Sequence, residues 1–195
     1  MIHLITIGQI SYYTGLLWLL LCAVWLGSAP FVRRTLQRQS AELRIQQIVI
    51  FGIGLYLLFG SPAYPEWFNQ PLIAVTVPTA LTGLALVSLG VGFSCWARLT
   101  LGENWSASPT IKQDHALVMR GPYRIVRHPI YTGILTMFLG TAIQFGLLRS
   151  FLGVVLCAIS FRIKLAVEEQ LMLQQFGHQY VEYSAQVRRI VPFLY

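Results

Sequence analysis

Two short clusters in this sequence carry side chains able to do chemistry together. The first is Arg127-His128-Pro129 followed by Tyr131, and the second is Lys164 with Glu168 and Glu169. An imidazole, a phenol, two carboxylates and two cations form a set that can bind a polar small molecule, hold an anion or accept a proton. Each cluster alone has a plainer reading. Arg127 would be a snorkelling anchor at a membrane surface and His128 an interfacial cap. Lys164 and Glu168, four residues apart on one helix face, would be a surface ion pair contributing well under about 1 kcal/mol. Familiar cofactor and metal signatures are missing: no GxGxxG after a strand, no P-loop, no HExxH and no Cys/His framework. No metal is therefore expected, and any nucleotide-like cofactor must be held another way. Cys22, Cys95 and Cys157 lie inside apolar runs and are expected to be small buried hydrophobes.

The elements that would position these clusters follow from composition. Of 195 residues, 55% are hydrophobic and 11% charged, against about a quarter charged in an ordinary soluble domain. A soluble fold of this length cannot hide so much apolar surface, whereas a bilayer makes the outside apolar too. A span needs roughly 20 mostly apolar residues, and the sequence predicts five. They run from Tyr12 to Val32, Ile48 to Tyr64, Leu72 to Ala97, Pro129 to Leu148, and from Ser150 until the apolar run stops at Arg162 and Lys164. Gly52, Gly54, Gly83, Gly90 and Gly92 would let the second and third spans pack closely. The fourth and fifth are joined by almost nothing, so they must form a tight hairpin around Arg149, with a polar helical tail after it. Pro129 suits the first turn of the fourth span. Hence Arg127, His128, Tyr131, Lys164 and Glu168 can converge on one pocket where two helices leave the membrane, and ionisable groups at such a depth suggest function.

Thirteen of the 14 lysines and arginines fall in alternate loops on one side, with Arg149 opposite. The positive-inside rule then places the N-terminus outside and the C-terminus in the cytoplasm. A four-span arrangement with a re-entrant second stretch would break that alternation. The net charge of +7 is accounted for by these loops facing anionic lipid, so no nucleic-acid partner is expected. No cleavable signal peptide is expected, since no basic region precedes the first apolar run. The expected architecture is an all-α integral membrane bundle of about five helices, one domain over 1–195. Residues 1–97 hold three spans, and 98–195 the hairpin, the tail and a cytoplasmic cofactor pocket.

The pairing of HALVMRGPYRIVRHPIYTG with EEQLMLQQFGHQYVEY resembles the isoprenylcysteine carboxyl methyltransferase family, membrane enzymes that use S-adenosylmethionine. LGENWS and VRRIVPF look like further family features, and the resemblance covers Leu101 to Pro192. A broader superfamily shares parts of the motif, including phospholipid N-methyltransferases and NADPH-dependent sterol reductases. The resemblance implies that His115, Ala116, Leu117, Val118 and Tyr123, then His128, Pro129, Ile130 and Tyr131, wall the cofactor, with Glu168 at its polar end. His128, Tyr131 and Glu168 are the expected catalytic group, and Arg127 and Lys164 the expected substrate contacts. One position departs from the family: Lys164 stands where an arginine is associated with the substrate's carboxylate, and lysine keeps the charge but loses the bidentate fork.

The activity so implied is methyl transfer from S-adenosylmethionine to a lipophilic or prenylated acceptor at the bilayer, with O-methylation of a carboxylate favoured. The alternatives are N-methylation of a phospholipid amine, an NADPH-dependent reduction, or a scaffold without catalysis. A low charge and no targeting extension suggest a prokaryotic inner membrane, with the site facing the cytoplasm.

Overall fold

The computed structural model describes residues 6–28, 35–38, 40–60, 65–102, 105, 110–112 and 117–191. Five apolar helices correspond to the five expected spans: α1 Ile7–Ser28, α2 Ala41–Phe59, α3 Val77–Leu101, α4 Pro129–Phe145 and α5 Leu148–Phe176. A sixth, α6, covers His178–Gln186. Four of them, α1, α2, α3 and α5, are long and apolar enough to cross a membrane, and α4 is shorter at 17 residues. At 1.5 Å per residue α4 is about 26 Å long, less than a hydrocarbon core of about 30 Å.

Some helix ends differ from the hydropathy runs because a cap or a glycine, not apolarity, sets them. α1 starts at Ile7 because Thr6 and Gln9 satisfy one another's backbone: the Gln9 amide donates to Thr6 Oγ1 and the Thr6 amide to Gln9 Oε1. α3 starts at Val77 behind a Thr76/Thr79 capping box, so residues 72–76 are not helical. α5 does not stop where its apolar run stops. It continues as one helix for 29 residues until Gly177, at φ +52, breaks it. The expected polar helical tail is therefore the end of α5 together with α6.

Glycines bring the backbones together in reciprocal pairs. A Cβ on Gly90 would lie 2.5 Å from the Gly133 carbonyl, and one on Gly133 2.7 Å from that of Gly90. Gly83 and Gly140 make the same exchange at 2.5 and 2.6 Å. The two pairs sit seven residues apart on both α3 and α4, so one seam locks these helices antiparallel. Gly54 of α2 meets Gly153 and Cys157 of α5 likewise, whereas Gly52 and Gly92, expected to serve the same purpose, have nothing near their Cβ positions. Between these seams lies an apolar core of Leu58, Phe138, Ala142, Cys157 and Phe161. Of the cysteines, Cys157 is buried as expected. Cys95 is half-buried and Cys22 exposed, because α1 turns its Cys22 face outward.

At one end of the bundle the α4–α5 turn is as tight as expected. Gly146, at φ +66, accepts from the Leu72 and Ile73 amides, and a Cβ there would lie 2.4 Å from the Ile73 carbonyl. At the other end Arg98 bonds the Ser28 carbonyl at 2.8 Å, holding the ends of α1 and α3 together. The loops at that end also pair as a short antiparallel ribbon, β1 Thr35–Arg38 with β2 Thr110–Lys112. It is the one departure from helix among the described elements longer than a single turn. Backbone pairing there needs no apolar periodicity, which is why the sequence pattern does not announce it.

Candidate active site

The site forms where α4 begins and α5 emerges. A single-turn 3-10 helix at Gly121–Arg124 leads into extended residues, and Pro129 then occupies the first turn of α4. His128 is the N-cap residue, but its side chain makes no capping bond; it reaches across to α5 instead. The hairpin places the end of α5 opposite, so residues about 40 apart in sequence meet.

The imidazole of His128, 9% exposed, lies between two adjacent carboxylates. Its Nδ1 is 3.6 Å from Glu168 Oε2, and its Nε2 is 3.2 Å from Glu169 Oε1. Neighbours on a helix are about 100° apart, so the two glutamates look different ways. Glu168 faces Tyr131, whose hydroxyl donates to its Oε1 at 2.5 Å. Tyr131 in turn packs edge-on against Phe161, with centroids 4.9 Å apart, and Lys164 Nζ sits 5.3 Å from the centre of its ring. His128, Tyr131, Lys164 and Glu168 are thus brought together. Arg162 is exposed on another side of the helix.

Glu169 faces a second set of partners. Its Oε1 accepts from Arg127 Nε at 3.1 Å and Nη2 at 2.9 Å, and its Oε2 accepts from Arg189. The remaining Arg127 nitrogen, Nη1, donates to the Ser184 and Val187 carbonyls at 2.8 and 2.5 Å. Arg127, expected on the substrate side, therefore has its guanidinium occupied by the protein. Such a charge-assisted fork fixes geometry and leaves no free edge for a substrate carboxylate. The Glu169–Arg189 pair was legible only as an EE doublet and an RR doublet, whose partners no spacing rule connects.

The cofactor wall implied by the resemblance is only partly described, since His115 and Ala116 lie outside the described residues. Leu117 and Val118 are half-buried. Pro129 is fully buried, and the Ile130 carbonyl turns to α3, where Ser94 Oγ donates to it at 3.4 Å. Tyr123 is buried at 7% exposure, and its carbonyl accepts from the Tyr183 hydroxyl at 2.6 Å. Burial first, and the nearby Glu168 charge second, push the Tyr123 phenol far above its ordinary range. Burial likewise holds Tyr183 up at about 12. Both phenols stay neutral at physiological pH and act as donors and aromatic faces, not as bases.

The donor set suits S-adenosylmethionine. Glu168 keeps 19% of its side chain exposed and offers an anionic acceptor for an ammonium or a ribose hydroxyl. The faces of Tyr123 and Tyr131 suit a sulfonium. One to two turns further along α4, a cavity of about 230 Å³ opens between α3 and α4, lined by Leu89, Gly90, Phe93, Gly133 and Thr136.

Comparison with known proteins gives the family and the fold. The phospholipid methyltransferase family model matches residues 78–179, just over half of the chain and all of Arg127 to Glu169. Protein-S-isoprenylcysteine O-methyltransferase B of Arabidopsis thaliana is 32% identical over 117 residues, covering 57% of this chain and 58% of that protein. A probable protein-S-isoprenylcysteine O-methyltransferase of Oryza sativa subsp. japonica is 31% identical over 146 residues, covering 71% and 76%. The chain thus spans under two thirds of the Arabidopsis protein's length and about three quarters of the rice one's. In fold it is similar to the solved structure of a eukaryotic intramembrane Ras methyltransferase, isoprenylcysteine carboxyl methyltransferase. The TM-score is 0.63 at 24% identity, over 98% of this chain and 69% of that one. The shared helical frame, the matched segment carrying both clusters and the relatives' names agree: this chain is an integral membrane member of the phospholipid methyltransferase family, in its isoprenylcysteine carboxyl methyltransferase branch.

Proposed function

We propose that this protein transfers a methyl group from S-adenosylmethionine to the carboxylate of a lipophilic, isoprenylcysteine-like acceptor, at the cytoplasmic face of a membrane. The observation that carries this is the convergence of Glu168, Tyr131, His128 and Lys164 at the mouth of the α4–α5 hairpin, in a chain whose relatives are named for that reaction.

S-adenosylmethionine, when bound, supplies a methyl already made electrophilic by its sulfonium, so the protein's task is alignment and exclusion of water. Glu168, oriented by the Tyr131 hydroxyl, holds the polar end of the cofactor. His128 fixes Glu168 from the other side, and Tyr123 and Tyr131 present aromatic walls. Lys164, resting on the Tyr131 ring, holds the acceptor's carboxylate as a point charge. An ionised carboxylate attacks without a general base. The acceptor's hydrocarbon tail stays in the bilayer and the cofactor comes from the aqueous side, which calls for a site at the boundary.

The orientation rests on the sequence, in which 13 of the 14 basic residues fall in alternate loops, the side that the positive-inside rule assigns to the cytoplasm. The relatives named above are eukaryotic, and lend no support to a prokaryotic inner membrane.

A second reading is N-methylation of a phospholipid amine. It is favoured by the family's description and by Lys164 in place of the arginine fork; an amine would need a proton acceptor, and His128 or Glu168 would serve. The protein in nanodiscs, given labelled S-adenosylmethionine with either S-farnesylcysteine or phosphatidylethanolamine, separates the two. Label in a base-labile ester on the farnesylcysteine supports the first reading, label in the amine headgroup the second. No label in either, with no binding of S-adenosylmethionine, overturns both.

A further inference from the structure

We infer that residues 187–190 form a strap that positions His128 for the reaction, and that Glu169 is the latch holding the strap closed. The inference rests on the function proposed above for its catalytic consequence, but not for its geometry.

The strap runs beside the entry to α4. Val126 and Arg188 form a parallel bridge, the Arg127 amide donates to the Arg188 carbonyl at 2.7 Å, and the His128 amide to the Arg189 carbonyl at 3.0 Å. Further on, Thr132 Oγ1 donates to the Ile190 carbonyl at 2.7 Å. The first amides of a helix have no partner within it, and an N-cap side chain ordinarily supplies one. Here the His128 side chain does not, and Pro129 has no amide to satisfy. The strap's carbonyls accept from the Arg127 and His128 amides just before the helix, so backbone bonds hold the chain that enters α4 while the imidazole, which makes no capping bond, reaches α5.

Side chains lock the same strap to α5. Arg127 binds Glu169 with Nε and Nη2 and the carbonyls of Ser184 and Val187 with Nη1, so one guanidinium ties α5, α6 and the strap together. Arg189, on the strap itself, donates to the other oxygen of Glu169. The carboxylate that closes this circuit also contacts His128 Nε2, while His128 Nδ1 faces Glu168. One ring thus has its back against the latch and its front toward the candidate reaction centre. Glu169 acts through His128 and is a positioning residue. The strap lies beyond residues 78–179, the segment matched by the family model.

The test uses the full chain in nanodiscs with Glu169→Gln, Arg189→Ala and Arg189→Lys. The control is Arg149→Gln at the opposite end of the bundle, which lowers Tm without touching the strap. Three quantities are read: hydrogen exchange of the Arg127 and His128 amides, the rate at which diethyl pyrocarbonate modifies His128, and the Kd for S-adenosylmethionine. Glu169→Gln is expected to speed exchange and His128 modification ten-fold or more and to weaken cofactor binding by about the same factor. Arg189→Ala, altering a residue whose side chain is 41% exposed, should give the same pattern in a folded protein, and Arg189→Lys should recover most of it. Arg149→Gln should leave His128 reactivity and Kd within two-fold. Unchanged amide exchange and His128 reactivity in both latch variants would overturn the strap. Opened amides with an unchanged Kd would overturn its positioning role. If the parent protein binds no S-adenosylmethionine, the proposed function fails, while His128 reactivity still decides whether the latch holds the ring.

Discussion

Arg127 and Arg149 are buried arginines at opposite ends of the same helical hairpin, and they are used differently. Arg149, 7% exposed, donates to Asn69 Oδ1 at 2.9 Å and to the Leu57 carbonyl at 2.8 Å. It closes the C-terminal end of α2, where unpaired carbonyls and the helix dipole both favour a cation. Arg127 also binds carbonyls, but its fork is completed by a carboxylate that it shares with His128 and Arg189. The first clasp holds two helices together. The second holds together the groups of the candidate site. Burial of a charge by itself does not separate them; what separates them is whether the partner's other contacts lead toward a site.

The sharpest way to break that comparison is to disable one end at a time. Glu168→Gln keeps the size of the side chain but loses the anion that would meet the cofactor. Turnover should fall by about 100-fold or more, about 2.7 kcal/mol in the barrier, with little change in Tm. Arg149→Gln should do the reverse, lowering stability by about 2 kcal/mol at unchanged turnover per folded molecule. Thermal unfolding and a methyl-transfer assay on both variants check this. Loss of turnover in Arg149→Gln at full folding would erase the distinction.

Smaller changes sharpen the functional end. Tyr131→Phe keeps the ring against Phe161 and under Lys164 and removes only the hydroxyl bound to Glu168. The Kd for S-adenosylmethionine should rise by about ten-fold, the equivalent of about 1.4 kcal/mol, measured by equilibrium binding. The mildest expected effect is that of Lys164→Arg. It restores a bidentate donor and should lower KM for a carboxylate acceptor by a few-fold, about 0.5–1 kcal/mol, with kcat and cofactor Kd unchanged. A rise in KM would mean that Lys164 suits a different acceptor.

The reach of the sequence can be followed residue by residue. The five apolar helices were legible because a bilayer demands long uncharged runs, and the hairpin because nothing but a turn fits between Phe145 and Leu148. Pro129 marked the start of α4 by its missing amide, and the RHP and EEQL motifs marked the two segments that meet at the candidate site. Boundaries were less legible. Hydropathy sees where apolar residues end, whereas α1 and α3 start at the Thr6 and Thr76 caps and α5 ends at a left-handed Gly177. Of the glycines, composition named the right helices but not Gly54, Gly83 and Gly90 over Gly52 and Gly92, since only the packing says which face meets a neighbour.

What the sequence by itself determined was the solvent of the fold, the number of its apolar helices and the segments that hold the candidate site, all of them consequences of local composition and spacing. What only the tertiary structure decided was the division of labour within that site. Glu168 and Glu169 are chemically identical neighbours, and a helix turns one to Tyr131 and the other to Arg127 and Arg189. Which partners each carboxylate meets depends on α4 and on a strap 20 residues downstream of Glu169. No spacing rule joins Arg127 to Val187 or His128 to Arg189, because contacts between distant parts of a chain are fixed by how its helices pack.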